Sequence, residues 1–187
     1  VIFGDFLPSG RLPVTLPRLA THIPLYYNVT SSGRPVNCYY GENPQKCYED
    51  SIPTPFYPFG YGLSYTKFRI SGIEVKRKTL TLEELNNGAG FSVGVTVENT
   101  GACEGNETIQ MYIHDKKASM MRPLRELKAF ERVFLRPNEK SRVCFNIDYG
   151  MLGYFYDDGN YVLEKGAFEI YIGNNSLTEN VTEVYVC

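Results

Sequence analysis

The second half of the chain alternates. Phe91, Val93, Val95 and Val97 take turns with Ser92, Gly94, Thr96 and Glu98, the period of a strand with one face on a core and the other toward water. The same period runs through Ile109, Met111 and Ile113, and through Val143, Phe145 and Ile147 set against Arg142, Cys144 and Asn146. Further strands are predicted at Phe68 to Val75, at Leu127 to Leu135 before the turn Arg136-Pro137-Asn138, and at Ala167 to Ile172. Val181 to Val186 adds a candidate edge strand. Gly153 to Tyr156 and Tyr161 to Leu163 flank Asp157-Asp158-Gly159-Asn160, a hairpin signal because these turn residues tolerate the dihedrals of a tight reversal. Seven or eight strands in roughly 110 residues match the count and spacing of a β-sandwich. Helix is nearly absent: Thr81 and Glu84 suit a capping box, and Gly88 ends the helix after about a turn and a half. By alternation Val95, Ile109, Met111, Phe130, Val143, Phe145, Phe168 and Ile170 face the core.

Residues 1–64 read differently. They are rich in Pro, Gly and Tyr and show little periodicity. Leu12 to Pro17 (LPVTLP) is a short strand candidate, fenced by prolines that stop regular pairing on either side. Beyond it a long irregular stretch carries Tyr26, Tyr27, Tyr39, Tyr40, Phe56, Tyr57, Phe59 and Tyr61, with Tyr65 just past its end. A loop of that length is unusual inside a compact domain. Its aromatics indicate that it lies on a surface, with sugar stacking as the second reading of those rings. Val1 to Phe6 opens in apolar sequence with Asp5 inside it and no basic segment before it, so it is not a signal peptide and suits a fragment or processed product.

Composition narrows the class. The chain has 187 residues, 43% of them hydrophobic, with 19 Lys and Arg against 21 Asp and Glu. That balance removes the electrostatic reason to expect nucleic acid or an anionic membrane. No apolar run approaches the roughly 18 residues of a membrane span. Glycine (17) and proline (11) exceed their usual joint share of about 12%, in line with many turns. The five cysteines, Cys38, Cys47, Cys103, Cys144 and Cys187, lack zinc-site spacing. Cys38 and Cys47 bracket a polar loop and either close a local disulfide or stay reduced, and the odd count leaves at least one cysteine unpaired within the chain.

Candidate chemistry is thin. His114 and Asp115 adjoin, but neighbours on a strand point to opposite faces and no nucleophile accompanies them. His22 reads as structural. Asp157 and Asp158 share one turn, whereas a glycosidase pair must face each other across a sugar at about 5 Å or more. Arg122, Arg125, Glu126, Lys128 and Arg132 form a charged run, read either as a solvated edge laced with ion pairs or as arginines docking on another domain. No catalytic residue, cofactor or metal ligand is assigned, and substrate-binding residues are left open. Four Asn-x-Ser/Thr triplets, at Asn28, Asn106, Asn174 and Asn180, gain meaning only in a eukaryotic secretory pathway.

GDFLPSGRLPVTLPR (Gly4 to Arg18), IPLYYN (Ile23 to Asn28), GRP (Gly33 to Pro35) and PFYPFGYGLSYTKF (Pro55 to Phe68) resemble the C-terminal part of glycoside hydrolase family 3. VTVENTG (Val95 to Gly101), GNETIQMYIHD (Gly105 to Asp115), RPLRELKAF (Arg122 to Phe130) and YVLEKGAFEIYIGNNS (Tyr161 to Ser176) resemble the fibronectin type III-like domain that ends many members. Phe6-Leu7 and Ala129 depart modestly from the family pattern. The resemblance implies a larger β-glucosidase- or β-xylosidase-like parent, with an aspartate nucleophile on a barrel, a glutamate acid/base on an α/β sandwich domain, and retaining hydrolysis of non-reducing-end β-linked sugars. Neither motif is in this chain, so no residue here inherits either role and the chain alone is expected to be inactive. The expected fold is mainly β, a fibronectin type III-like sandwich over 65–177. A remnant of the α/β domain (1–20, with VIFGD as a helix tail) and an aromatic wrapping arm (21–64) precede it, and a tail (178–187) follows. The expected partners are the preceding barrel and α/β domains, met through Tyr57, Phe59, Tyr61 and Tyr65, with Arg122 and Arg125 at the rim; a homo-oligomer is a further possibility. The competing function is an autonomous carbohydrate-binding or adhesive module. A secreted or periplasmic location is slightly favoured.

Overall fold

The computed structural model describes residues 1–30, 40 and 54–187. Cys38, Cys47, Tyr39 and Gly33 to Pro35 lie outside the described residues. Two sheets face each other. One holds β1 (Phe68–Val75), β3 (Phe91–Asn99) and β6 (Lys140–Ile147), in the order β1-β3-β6. The other runs β2-β10-β9-β4-β5, from β2 (Thr79–Leu80), β4 (Gly105–Asp115), β5 (Glu126–Leu135), β9 (Gly166–Gly173) and β10 (Val181–Val186). Between β6 and β9 come the short helix α2 (Tyr149–Leu152) and a hairpin of β7 (Tyr154–Phe155) and β8 (Tyr161–Val162).

Alternation builds the core. Phe91, Val93, Val95 and Val97 are at most 1% exposed, and β3 lies antiparallel to β6 with Val93 opposite Phe145 and Val95 opposite Val143. Across from them Ile109, Met111, Ile113, Phe168, Ile170 and Ile172 close the other half. The helix α1 (Leu82–Asn86) starts on the expected capping box, in which the Glu84 amide donates to Thr81 Oγ1 at 3.1 Å and the Thr81 amide donates to the Glu84 carboxylate at 2.8 Å. It ends at Gly88, whose φ of +89° favours glycine. The segment read as an edge strand is β10, paired along β9 and met on its other side, at Tyr185 and Val186, by the two-residue parallel β2.

Three local expectations are corrected. Phe130 is 68% exposed and not in the core. It stands opposite Gln110 on the far face of the sheet, while Ala129 and Val133 pack against the core. Leu12 to Pro17 forms no strand. It makes one antiparallel bridge, Leu16 with Tyr57, because prolines at 13 and 17 have no amide hydrogen to extend a ladder. Val1 to Phe6 is a run of turns and bends without helix.

Candidate domain interface

The arm meets the sandwich on the outer face of the five-stranded sheet. The arm and the segment before it first satisfy each other's backbone. Leu12 donates to the Tyr61 carbonyl at 2.8 Å, Gly60 to the Leu12 carbonyl at 2.8 Å, and Leu16 to the Tyr57 carbonyl at 2.9 Å. The doubled segment then lies across β4, whose outward residues Gln110 and Tyr112 are 3% and 0% exposed. Tyr27 and Phe59 stack at 4.0 Å, and both rings meet Tyr112 edge-on. Gln110 Nε2 donates to the carbonyls of Gly60 at 3.1 Å and Asn174 at 2.9 Å, and Gln110 Oε1 accepts from the Tyr112 hydroxyl. The Ser176 amide donates to the Phe59 carbonyl at 2.9 Å.

Charge fastens the same contact. The Arg11 guanidinium pairs with Glu107, with the two side chains 10% and 4% exposed. A buried pair of this kind adds little over an apolar substitute, but removing one partner strands the other charge. Arg132 donates to Ser9 Oγ. The sequence reading missed Arg11, Glu107, Gln110 and Tyr112. One signal pointed to them: Glu107 interrupts the inward series Gly105, Ile109, Met111 and Ile113 with a charge.

Of the six expected interface residues, three lie on the arm, Tyr65 stands just past its end, and two lie on the sandwich. Tyr57 and Tyr61 stack at 4.8 Å and, with Leu12, Leu16 and Leu63, line an open concavity of about 500 Å³. Phe59 is half-buried against the sheet, and Tyr65 is 57% exposed. Arg122 and Arg125 are engaged within this chain. Arg122 pairs with Glu126 at 3.1 Å and lies 4.7 Å over the Tyr154 ring. Arg125 donates to the Ser176 carbonyl between the rings of Tyr40 and Tyr171. Burial, and then the bond to Glu169, push the Tyr171 hydroxyl up to about 12.

The remaining candidates do not assemble into a catalytic centre. His114 Nδ1 lies 3.0 Å from the Pro123 carbonyl, while Asp115 is buried and its carboxyl is raised by that burial. Asp158 accepts from the amide and side chain of Asn160 inside the hairpin turn, which lowers it. His22 is buried in a 3-10 turn of the arm. Cys103, Cys144 and Cys187 are free and exposed. Among the described residues no group of three His, Cys, Asp or Glu is placed to hold a metal ion, and no helix is long and apolar enough to cross a membrane. Open apolar side chains occur in every part of the chain: Ile2 and Phe3 in the first segment, Ile23, Tyr26 and Leu63 in the arm, and Met121, Phe130 and Phe155 on the sandwich are each at least 64% exposed.

Residues 107–176 match the family described as a fibronectin type III-like domain. The whole chain is similar to longer proteins. A periplasmic beta-glucosidase of Salmonella typhimurium is 42% identical over 94% of this chain and 22% of its own length. A putative beta-xylosidase of Formosa agariphila is 38% identical over 95% of this chain and 21% of its own. Among solved structures, a beta-glucosidase from Erythrobacter marinus superposes with a TM-score of 0.85 at 35% identity, covering all of this chain and 23% of that one. A beta-glucosidase from Listeria innocua in complex with glucose gives 0.82 at 35% identity, over 96% and 24%. The chain thus spans less than a quarter of the length of these relatives.

Proposed function

This chain is a C-terminal piece of a glycoside hydrolase family 3 protein, β-glucosidase- or β-xylosidase-like, with that family's fibronectin type III-like domain, and from that premise we propose that it braces the catalytic domains through its arm. It corresponds to the accessory region of such enzymes and carries neither family motif for nucleophile or acid/base. Residues 1–20 are the end of the α/β domain, 21–64 the wrapping arm, and 65–177 the fibronectin-like unit, to which 178–187 adds its strand. Tyr57, Phe59, Tyr61 and Tyr65 form the centre of the contact, with Arg122 and Arg125 at its rim. The whole protein hydrolyses non-reducing-end β-linked glucosides or xylosides with retention, as the names of the relatives and the family mechanism suggest. A secreted or periplasmic location accords with a relative named periplasmic. Self-association of the chain is a second way to cover the same surface.

The observation that carries the reading is the uncovered apolar surface of the arm beside the Tyr57–Tyr61 stack. Monomers rarely leave large contiguous apolar patches in water. Mixing the chain with the separately produced remainder of the enzyme should slow hydrogen exchange at Pro55 to Tyr65. Unchanged exchange there, in a complex shown to form, would remove the arm from the contact and favour the autonomous sugar-binding module.

A further inference from the structure

We propose that the outer face of β5, centred on Phe130, is a second docking surface, filled by an apolar segment bearing a carboxylate in the part of the family 3 enzyme that lies outside this chain. The proposal rests on the bracing reading and extends it from the arm to the sandwich. Phe130, Arg132 and Phe134 alternate along one face of β5, the last strand of its sheet. Phe130 is 68% and Phe134 50% exposed. Exposed aromatic residues on an edge strand invite unwanted pairing, and folded proteins normally cover them.

The arm stops short of doing so. It covers Gln110 and Tyr112 but leaves a concavity of about 430 Å³ walled by Leu12, Pro13, Phe59, Leu127, Phe130 and Arg132. This concavity shares Gly10, Arg11 and Leu12 with the one beneath Tyr57 and Tyr61. The two therefore make one continuous surface. Arg132 supplies the chemistry of the occupant. Its guanidinium donates to the neutral Ser9 hydroxyl, and among the described residues no carboxylate pairs with it. A guanidinium fork beside an apolar hollow matches a carboxylate carried on an apolar segment.

Two observations favour the rest of the enzyme over a second copy. The relatives devote more than three quarters of their length to sequence outside the matched region. A two-fold contact centred on Phe130 would also bring two Arg132 side chains into one interface, where like charges repel.

The test uses the wild-type chain and its Phe130→Ser and Arg132→Gln variants, each titrated calorimetrically with the remainder of the enzyme. Phe130 is open in the free chain, so Phe130→Ser should leave the melting of the isolated chain unchanged while weakening the complex about tenfold or more, as a buried aromatic anchor does. Arg132→Gln should weaken it less and reduce its salt dependence. Wild-type affinity for Phe130→Ser would overturn the proposal and leave the bracing reading standing. Failure of the wild-type chain to bind would overturn both. Hydroxyl-radical footprinting of the wild-type complex needs no variant: Phe130 and Phe134 should become protected, and unchanged labelling counts against the proposal. Protection in the chain alone through dimerisation, with none added by the remainder, would replace the proposed occupant with a second copy.

Discussion

Replacing Gly60 by alanine tests whether the arm is held where it lies. Gly60 has φ of +80°, and a Cβ there would sit 2.0 Å from Gln110 Oε1 and 2.9 Å from its Cδ. A left-handed conformation costs a residue with a Cβ about 1–2 kcal/mol. The tip of a glutamine could ordinarily swing away at little cost. Gln110 is 3% exposed and bonded to the Gly60 carbonyl, the Asn174 carbonyl and the Tyr112 hydroxyl. Moving it leaves buried polar groups without partners, at about 1–3 kcal/mol. A stiffer unfolded chain returns about 0.4–1 kcal/mol. The net loss is about 1–4.5 kcal/mol. Because the sandwich has its own core, the loss should appear first as faster hydrogen exchange at Pro55 to Gly62, before the strands respond. In a Gln110→Ala background the clash is gone, and Gly60→Ala should cost only the backbone share less what the unfolded chain returns, about 0–1.5 kcal/mol. A cost below about 0.5 kcal/mol in the wild type, or an equal cost in both backgrounds, would refute the argument.

Phe145 is 7% exposed and pairs with Val93 in the core; Phe145→Ala should cost about 3–5 kcal/mol in a denaturant melt, and a loss under about 1 kcal/mol would contradict its core position. Asp115 gives a pH signature. Burial raises its carboxyl, with Glu164 acting in the same direction and the Lys117 amide, Arg122 and His114 opposing it. The folded state therefore holds that proton more tightly than the unfolded state, so stability is full below about pH 4 and is lost as pH rises through the raised folded value. Asp115→Asn removes this dependence: its stability relative to wild type should climb with pH from about 4 and then level off. A difference that stays flat or falls in melts across that range would show that burial does not govern Asp115.

Phe130 shows where sequence reasoning reaches its limit. In LKAFERVFL a strict period of two puts Leu127, Ala129, Val133 and Leu135 on one face and Phe130 and Phe134 on the other, although the register shift beside Met111 turns Leu127 to the outer face opposite Tyr112. A period of two finds the strand without choosing the face. Read from the sequence, alternation puts Phe130 on the inward face. The pairing of Ala129 with Met111 and of Val133 with Glu107, with a register shift next to Met111, settled the matter the other way. The capping box at Thr81 and the Asp-Gly-Asn hairpin were legible because each is complete within four residues.

The chain's own order of residues determined whatever repeats or closes locally: the strands, their two faces, the short capped helix, and the turns where Gly or Asn tolerates an unusual backbone. Alternation is a property of neighbours, so it survives reading without a fold. Only the tertiary structure decided which polar faces are covered. Gln110 and Tyr112 occupy the water side of an ordinary alternating strand, and their burial depends on Gly60, fifty residues earlier in the chain. Glu107 is buried because Arg11, 96 residues away, neutralises it. Such contacts leave no local period, since loop closure brings the partners together and the packed surface selects them.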